Sequence, residues 1–370
     1  MNKDYSFNFC CPTEIYFRPN GVSSIGKILK DDYNFHKVFL IYGGESIRKN
    51  GTYEKVITSL NENDIAFLEY GGIQANPDVE DINKIITTCK TFHPEIILAV
   101  GGGSVLDTAK CVAHGYYYAG NPLDFAKGVV EPLHALPVAT ILTLAASGSE
   151  MSDSCVVSDR KHHFKGGFNC KSNYPLFSLM DPMLTFTVPQ YQVGIGLVDM
   201  FSHSFERYFS PSHEFEPSDE LALGVMKAIV DISKAAIEEP EDLEVKRAMM
   251  ICGSLAHNGI TSYGKKKRFV VHAAEHYLSG VYPSLAHGQG IALLIVDFLR
   301  RNEDTLSQKI SRFGEAVFSL EKGCSTKDAI DAFEGYIYSL PIYHTFSELP
   351  FVIKEEDVKK AQRKLLLSKK

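Results

Sequence analysis

Four side chains in two clusters have the types and spacing to hold a metal ion: Asp199 and His203, then His272 and His287. The first pair lies in Gly-Leu-Val-Asp199-Met-Phe-Ser-His203-Ser-Phe-Glu, a helix-compatible stretch. A spacing of four puts the carboxylate and the imidazole on one helical face, a turn apart. The second cluster reads Val-His272-Ala-Ala-Glu-His276-Tyr-Leu-Ser-Gly-Val-Tyr-Pro-Ser-Leu-Ala-His287-Gly-Gln-Gly. His272 and His276 also share a helical face, and a Gly/Pro/Ser break precedes His287. One carboxylate oxygen with two or three imidazole nitrogens suits a divalent ion of intermediate softness, such as Fe(II), Zn(II) or Ni(II). A single Asp-x-x-x-His pair on a helix is more often a surface pair, so the reading leans on a second feature upstream.

That feature is a set of glycine turns. Gly101-Gly102-Gly103-Ser104-Val-Leu-Asp107-Thr-Ala-Lys110 follows an apolar strand-like run and opens a helix. Glycines let the backbone approach a phosphate, and free N–H groups at a helix start attract its charge. The pattern differs from both G-x-G-x-x-G and the P-loop. Gly43-Gly44-Glu45-Ser46 is a second such turn, placed where the adenosine ribose of a dinucleotide falls in a doubly wound sheet. Small residues there with Arg48 and Lys49 nearby lean towards the 2′-phosphate of NADP(H) over NAD(H), whereas Glu45 pulls the other way. Thr143-Leu-Ala-Ala-Ser147-Gly148-Ser149-Glu150 is a third turn of this kind and is expected to line the same cleft.

The elements that must position these residues change character along the chain. Lys37–Tyr42, Ala66–Tyr70, Glu95–Val100 and Pro137–Leu144 read as strands. Helical patterns run to about Leu60 and from about Val79 to Thr91. Such alternation implies a parallel sheet with helices on both faces and ligands outside the carboxyl ends of its strands. From about Pro189 long helical patterns dominate. The expectation is an α/β dinucleotide-binding domain over 1–185 and an all-helical metal-binding domain over 186–370, with the boundary near 182–190.

At 370 residues the chain is long for one core, so two domains are the default. The net charge of −7 argues against nucleic acid or an anionic membrane as main partner. No apolar run reaches the length of about 18 residues that a membrane helix needs. The start, Met-Asn-Lys-Asp-Tyr-Ser-Phe, lacks the apolar core of a signal peptide. Eight scattered cysteines without a Cys-x-x-Cys pair read as reduced thiols of a cytoplasmic protein. The vicinal pair Cys10-Cys11 carries no assigned role. Lys265-Lys266-Lys267-Arg268 and the terminal Lys359-Lys360 and Lys369-Lys370 read as solvated charge.

Taken together, Gly101-Gly-Gly-Ser104-x-x-Asp107-x-x-Lys110, Ala146-Ser-Gly-Ser-Glu150, Asp181-Pro182, Asp199-x-x-x-His203, His272-x-x-x-His276 and His287-Gly288 resemble the iron-containing (group III) alcohol dehydrogenases. The similarity is to the branch of NADPH-dependent butanol dehydrogenases and aldehyde reductases, and Gly72-x-x-x-Asn76-Pro77 fits it too. The resemblance implies a dehydroquinate synthase-like fold with the active site between an α/β domain and a helical domain. It implies Asp199, His203, His272 and His287 as ligands of Fe(II), with Zn(II) or another divalent metal as substitutes. It places His276 beside the nicotinamide as a candidate proton relay, and Lys165 beside the cofactor. It also places Gly43, Gly44, Ser46, Gly101, Gly102, Gly103, Ser104, Asp107, Thr143, Ser147 and Ser149 along the dinucleotide. The interval from His272 to His287 is one residue longer than the pattern, so the loop through Tyr282-Pro283-Ser284 is expected to shift.

The implied chemistry is hydride transfer between small primary alcohols or aldehydes and NAD(P)(H), with the substrate oxygen polarised by metal. Met200, Phe201, Phe205, Tyr277 and Tyr282 near the ligands favour a small, weakly polar substrate. The alternatives are a lyase using metal and NAD, as dehydroquinate synthases do, and a metal-dependent hydrolase without dinucleotide. The strand-like N-terminal run Phe7-Asn-Phe9…Thr13–Phe17 has no partner close in sequence. Such an edge can pair with another chain, and a homodimer is expected.

Overall fold

The computed structural model describes residues 6–211 and 216–367. Residues Met1–Tyr5, read above for a signal peptide, and Lys369 and Lys370 lie outside the described residues. Its strands are β1 (Glu14–Phe17), β2 (Lys37–Tyr42), β3 (Ala66–Tyr70), β4 (Ile96–Gly101), β5 (Val138–Leu142), β6 (Ser154–Asp159), β7 (Phe164–Asn169) and β8 (Phe177–Met180). Six of them form one sheet in the order β1-β8-β5-β4-β2-β3, every pair parallel. The other two, β6 and β7, form an antiparallel hairpin.

The runs without a polar face become the central strands because both faces of a parallel sheet are covered. Every residue of β4 and β5 is buried. In β2, Phe39 and Ile41 enter one apolar cluster, while Val38, Leu40 and Tyr42 enter the other, as a period of two requires. The covering helices include α1 (Thr52–Glu62), α2 (Val79–Phe92) and α3 (Gly103–Tyr117). The helix expected to run from the Gly43-Gly44 turn to Leu60 is two pieces, Ser46–Lys49 and Thr52–Glu62, parted at Gly51, whose φ is 75°.

The chain passes from β2 outward to β3, then returns across β2 to β4. Adjacent crossovers of opposite direction open a crevice at the carboxyl ends of β2 and β4. The register closes the argument: Tyr42 lies opposite Val100, and Gly101 opposite Leu142. The turns after β2, β4 and β5 therefore sit side by side.

After the short turn Pro182–Thr185 the chain is helical: α4 (Gln190–Tyr208), α5 (Pro217–Glu238), α6 (Leu243–His257), α7 (Val270–Val281), α8 (His287–Arg301), α9 (Glu303–Phe318), α10 (Thr326–Tyr338) and α11 (Glu355–Lys364). Among the described residues no helix is long and apolar enough to cross a membrane.

Three details differ from the sequence reading. The N-terminal strand finds its partner within the chain, since β1 pairs with β8 some 160 residues later and forms one edge of the sheet. Lys265 is not solvated: its side chain is 1% exposed and its ammonium meets Asp219. Met200, Phe201 and Phe205 are core residues. The rings of Phe201 and Phe205 stack on Phe333 of α10 at 5.3 and 5.4 Å.

Candidate metal centre and dinucleotide cleft

Helix α4 carries Asp199 and His203 on the face turned inward, both almost fully buried. Helix α7 carries His272, and α8 opens at His287. The carboxylate oxygen of Asp199 and one nitrogen each of His272 and His287 lie within 4.8 Å of one another. His203 joins them by two edges. Its Nε2 is 3.2 Å from Nε2 of His272, and its Nδ1 is 3.7 Å from Oδ1 of Asp199. Nε2 of His287 is 3.7 Å from that same oxygen.

The imidazoles are held from behind. Nδ1 of His272 donates to the Glu206 carboxylate, which also accepts from the backbone N–H of Val271 at 2.6 Å and of His272 at 3.1 Å. Glu206 therefore caps the start of α7 and leaves the His272 Nε2 lone pair facing the cluster. Nδ1 of His287 meets the Glu275 carboxylate and leaves Nε2 towards Asp199. Carboxylates behind ligand imidazoles fix ring orientation and raise basicity. Glu206 and Glu275 escaped the sequence reading. Their signal is position: each lies three residues after a candidate ligand, His203 and His272, on the same helix.

Electrostatics follow the burial. Burial pushes the Asp199 carboxyl above its ordinary range, against the pull of His287 and His272. Burial also drives His203 well below the usual imidazole value, and the neighbouring His257, His272 and Arg207 add to it. Burial alone would raise Glu275, but the adjacent His287 and Lys165 charges prevail and hold it well below the carboxylate range. Asp199 Oδ1 and His203 Nδ1 are buried without a hydrogen-bond partner among the described residues. An orphaned carboxylate oxygen ringed by imidazole nitrogens is costly unless a cation satisfies it. The donor set fits a divalent metal.

Lys165, on β7, joins this cluster to the sheet. Its side chain is 4% exposed, and Nζ donates to Asn76 Oδ1 at 2.9 Å and reaches Glu275 at 3.4 Å. Asn76 in turn donates to the carbonyls of Pro283 at 2.9 Å and Leu285 at 3.2 Å. The loop through Tyr282-Pro283-Ser284 is thus pinned, and it delivers His287 to the cluster. His276 lies beside the cluster, with its ring centroid 5.4 Å from that of His287 and its Nε2 4.0 Å from Glu275. Burial and the Lys165 charge push it well below the usual imidazole value.

The glycine turns meet this centre through the segment after β5. A Cβ on Gly196, one turn before Asp199, would stand 2.7 Å from the Ala145 carbonyl, so the ligand helix rests on that turn. A Cβ on Gly103 would stand 2.4 Å from Ser147 Oγ, which ties the turn to the start of α3. Helix α3 begins without a side-chain cap, leaving its N-terminus to serve an anion. Thr143 donates its N–H to the Gly101 carbonyl at 3.0 Å, and Ser104 sits in the first turn of α3. A Cβ on Gly43 would stand 3.5 Å from Val105, and Gly44 has open space where a Cβ would project.

Two predicted cofactor residues are hydrogen-bonded within the protein. Ser149 Oγ donates to Asp107 Oδ1 at 2.6 Å, and Asp107 Oδ2 accepts from the Val156 N–H at 3.0 Å. The buried Lys110 ammonium donates to Ser149 Oγ and to the carbonyls of Ser149, Ser152 and Ser154. Asp107 and Ser149 brace the floor of the cleft. Arg48 is likewise committed. It donates to Tyr42 OH at 2.6 Å, lies 3.7 Å over the Tyr53 ring, and is 3.8 Å from Glu69. One of the two cations counted towards a 2′-phosphate is thereby occupied, whereas the other, Lys49, is exposed, as are Glu45 and Ser46. Tyr277 and Tyr282, expected near substrate, donate to Asp357 at 2.6 and 2.9 Å.

Comparison with known proteins identifies the family. The family model described as "Iron-containing alcohol dehydrogenase" matches residues 12–182, and "Fe-containing alcohol dehydrogenase family, C-terminal" matches 195–367. The chain is 34% identical to NADH-dependent butanol dehydrogenase A of Clostridium acetobutylicum, over 98% of this chain and 92% of that protein. It is 31% identical to the NADPH-dependent aldehyde reductase YqhD of Escherichia coli, over 88% of this chain and 84% of that one. The crystal structure of an NADH-dependent butanol dehydrogenase A from Thermotoga maritima superposes with a TM-score of 0.91 at 32% identity, covering 97% of this chain and 90% of the other.

Proposed function

The chain belongs to the iron-containing alcohol dehydrogenase family, and from that premise we propose that it interconverts small primary alcohols and aldehydes by hydride exchange with a nicotinamide dinucleotide. The observation that carries the reading is the joint placement of an Asp/His cluster and the Gly101–Ser104 turn on either side of the Ala145–Ser149 segment. The relatives' names, butanol dehydrogenase and aldehyde reductase, support the substrate class. They do not favour a lyase or a hydrolase.

Asp199, His203, His272 and His287 are the proposed ligands of iron. Bound there, a divalent metal supplies Lewis acidity to a substrate oxygen. Glu206 and Glu275 keep two of the imidazoles turned inward. The turns at Gly43-Gly44, Gly101–Ser104 and Thr143–Ser147 hold the dinucleotide at the carboxyl ends of β2, β4 and β5, between the α/β part (1–185) and the helical part (186–370). Lys165, fixed by Asn76, is proposed to orient the nicotinamide end. His276 is proposed to pass the proton at Nε2, on the strength of its place beside the His287 ring.

For the dinucleotide itself, NAD(H) is the favoured partner, a reversal of the sequence-based lean to NADP(H). Occupation of Arg48 by Tyr42, Tyr53 and Glu69 supports it. A homodimer and a cytoplasmic setting belong to the same proposal. The position of β1 at the edge of the sheet supports the first, and the buried free thiols of Cys89, Cys111, Cys155 and Cys252 support the second.

The test is oxidation of NADH, and separately NADPH, by purified protein with butyraldehyde. It is run after EDTA treatment and again after anaerobic return of Fe(II) or Zn(II). Turnover that is lost with chelation and restored by metal is the expected result. Metal binding without dinucleotide turnover would overturn the reading.

A further inference from the structure

One histidine near the centre is neither a predicted ligand nor a predicted cofactor contact. His257 closes helix α6 and makes two directed contacts. Its ring stacks on that of His203, with centroids 4.0 Å apart and planes 24° from parallel. Its Nδ1 donates to the carbonyl of Ser147. His203 lies in the metal cluster, and Ser147 lies in the turn that touches Gly103.

The turn is seated on α6 by shape as well. Gly148 has a φ of 67°, and a Cβ there would stand 2.5 Å from the Gly253 carbonyl and 2.6 Å from Cβ of His257. Behind the stack, Arg207 donates to the carbonyls of His203 and Ala256, each at 2.9 Å, and of His257 at 3.2 Å. The end of α6 and the ligand turn of α4 are therefore one rigid block. Within that block the imidazole of His257 donates to the carbonyl of the dinucleotide turn.

We propose that His257 is a positioning residue that serves both halves of the site, fixing the Ser147 turn through Nδ1–H and the plane of the His203 ring through stacking. The assignment rests on the oxidoreductase reading, because it presumes a dinucleotide on the turn and a metal beside His203. Each contact has its own consequence. Loss of the donor frees the Ser147 carbonyl and loosens the dinucleotide end. Loss of the ring frees His203 to tilt and loosens the metal end.

Two substitutions separate them. His257→Phe keeps a ring for His203 and removes the donor, whereas His257→Gln keeps an N–H donor and removes the ring. NADH affinity is read by fluorescence titration, and the metal end by the absorption bands and chelator competition of Co(II)-loaded protein. H257F should bind NADH about three- to tenfold more weakly, the worth of one neutral hydrogen bond, with Co(II) bands unchanged. H257Q should bind NADH as the wild type does and show altered Co(II) bands. Equal behaviour of the two variants in both readouts overturns the proposal. Should either variant fail to fold, histidine-labelled NMR of the wild-type Zn(II) protein decides. A protected Nδ1–H on His257 that moves on adding NADH supports the assignment, and a ring protonated only at Nε2 overturns it. Wild-type protein that binds no dinucleotide overturns the oxidoreductase reading together with this one, whereas wild-type binding with a silent H257F overturns this one alone.

Discussion

The Nε2 atoms of His203 and His272 face each other at 3.2 Å, deep in the helical half of the protein. The His272 proton is on Nδ1, given to Glu206, so its Nε2 presents a lone pair into a space it shares with His203 and the orphaned Asp199 oxygen. A cation shared among them satisfies all three, and the strength of that site depends on how firmly Glu206 holds the His272 ring. Glu206→Gln keeps the size and one carbonyl acceptor for the α7 backbone but removes the charge behind the imidazole. We expect metal affinity to fall about 10- to 100-fold, the usual cost of losing such a partner. Chelator competition with Co(II) or Zn(II) measures it, and an unchanged affinity would remove Glu206 from the account.

The proposed preference for NAD(H) turns on whether Arg48 is free. Glu69 accepts from Tyr53 OH at 2.7 Å and lies 3.8 Å from Arg48, so it neutralises the guanidinium and anchors the ring on which it stacks. Glu69→Gln removes the charge and keeps the tyrosine acceptor. The variant should gain on NADPH relative to NADH by about tenfold in kcat/KM, equal to about 1.4 kcal/mol of differential binding. Steady-state kinetics with both dinucleotides settles it. A wild-type enzyme that already prefers NADPH would show that Arg48 is not held back by this cluster.

Lys246 supplies a prediction about pH. It is 1% exposed, and its ammonium donates to the Ala236 carbonyl at 2.9 Å near the end of α5. Burial lowers its pKa in the folded state below the unfolded value of about 10.4. Between the two values the unfolded chain binds the additional proton, so folded stability rises with pH through that window. Below the folded value the penalty for the buried charge is present in full. Lys246→Met abolishes this dependence. The melting temperature of the wild type, measured against that of K246M, should therefore rise between pH 7 and pH about 10. A difference that stays flat across that range would mean the ammonium is better solvated than its burial implies.

Much of this was legible in the sequence, for physical reasons that differ from part to part. The central strands announced themselves because β4 and β5 are buried on both faces and admit few polar residues. The Asp/His cluster was legible as a candidate because Asp199 and His203, like His272 and His276, are separated by one helical turn. What failed were inferences from proximity in sequence to proximity in space. Phe201 and Phe205 are neighbours of the ligands along α4 but point into the packing with Phe333. Asp107 and Ser149, read as cofactor residues, also bond each other, and Lys110 donates to Ser149, a partnership that their motifs do not announce. Arg48 is near the right turn but already engaged. The pairing of β1 with β8 depends on residues some 160 positions apart, which no local pattern reveals.

The contact between the two ligand helices is tight enough to predict the effect of one methyl group. A Cβ on Gly288 would stand 2.1 Å from the carbonyl oxygen of Ile195 and 2.9 Å from its carbon. Both are backbone atoms of α4, which cannot rotate aside as a side-chain tip could. Gly288→Ala must therefore push the start of α8 away from α4, and His287 moves with it, away from Asp199. Overpacking of this kind costs about 1–3 kcal/mol. The loss should appear in denaturant unfolding of the metal-free protein, and a weaker metal affinity should accompany it because one ligand is displaced. A G288A protein with wild-type stability and wild-type metal affinity would show that α4 and α8 are not locked at this crossing. The role of their contact in bringing Asp199 and His287 together would then have to be given up.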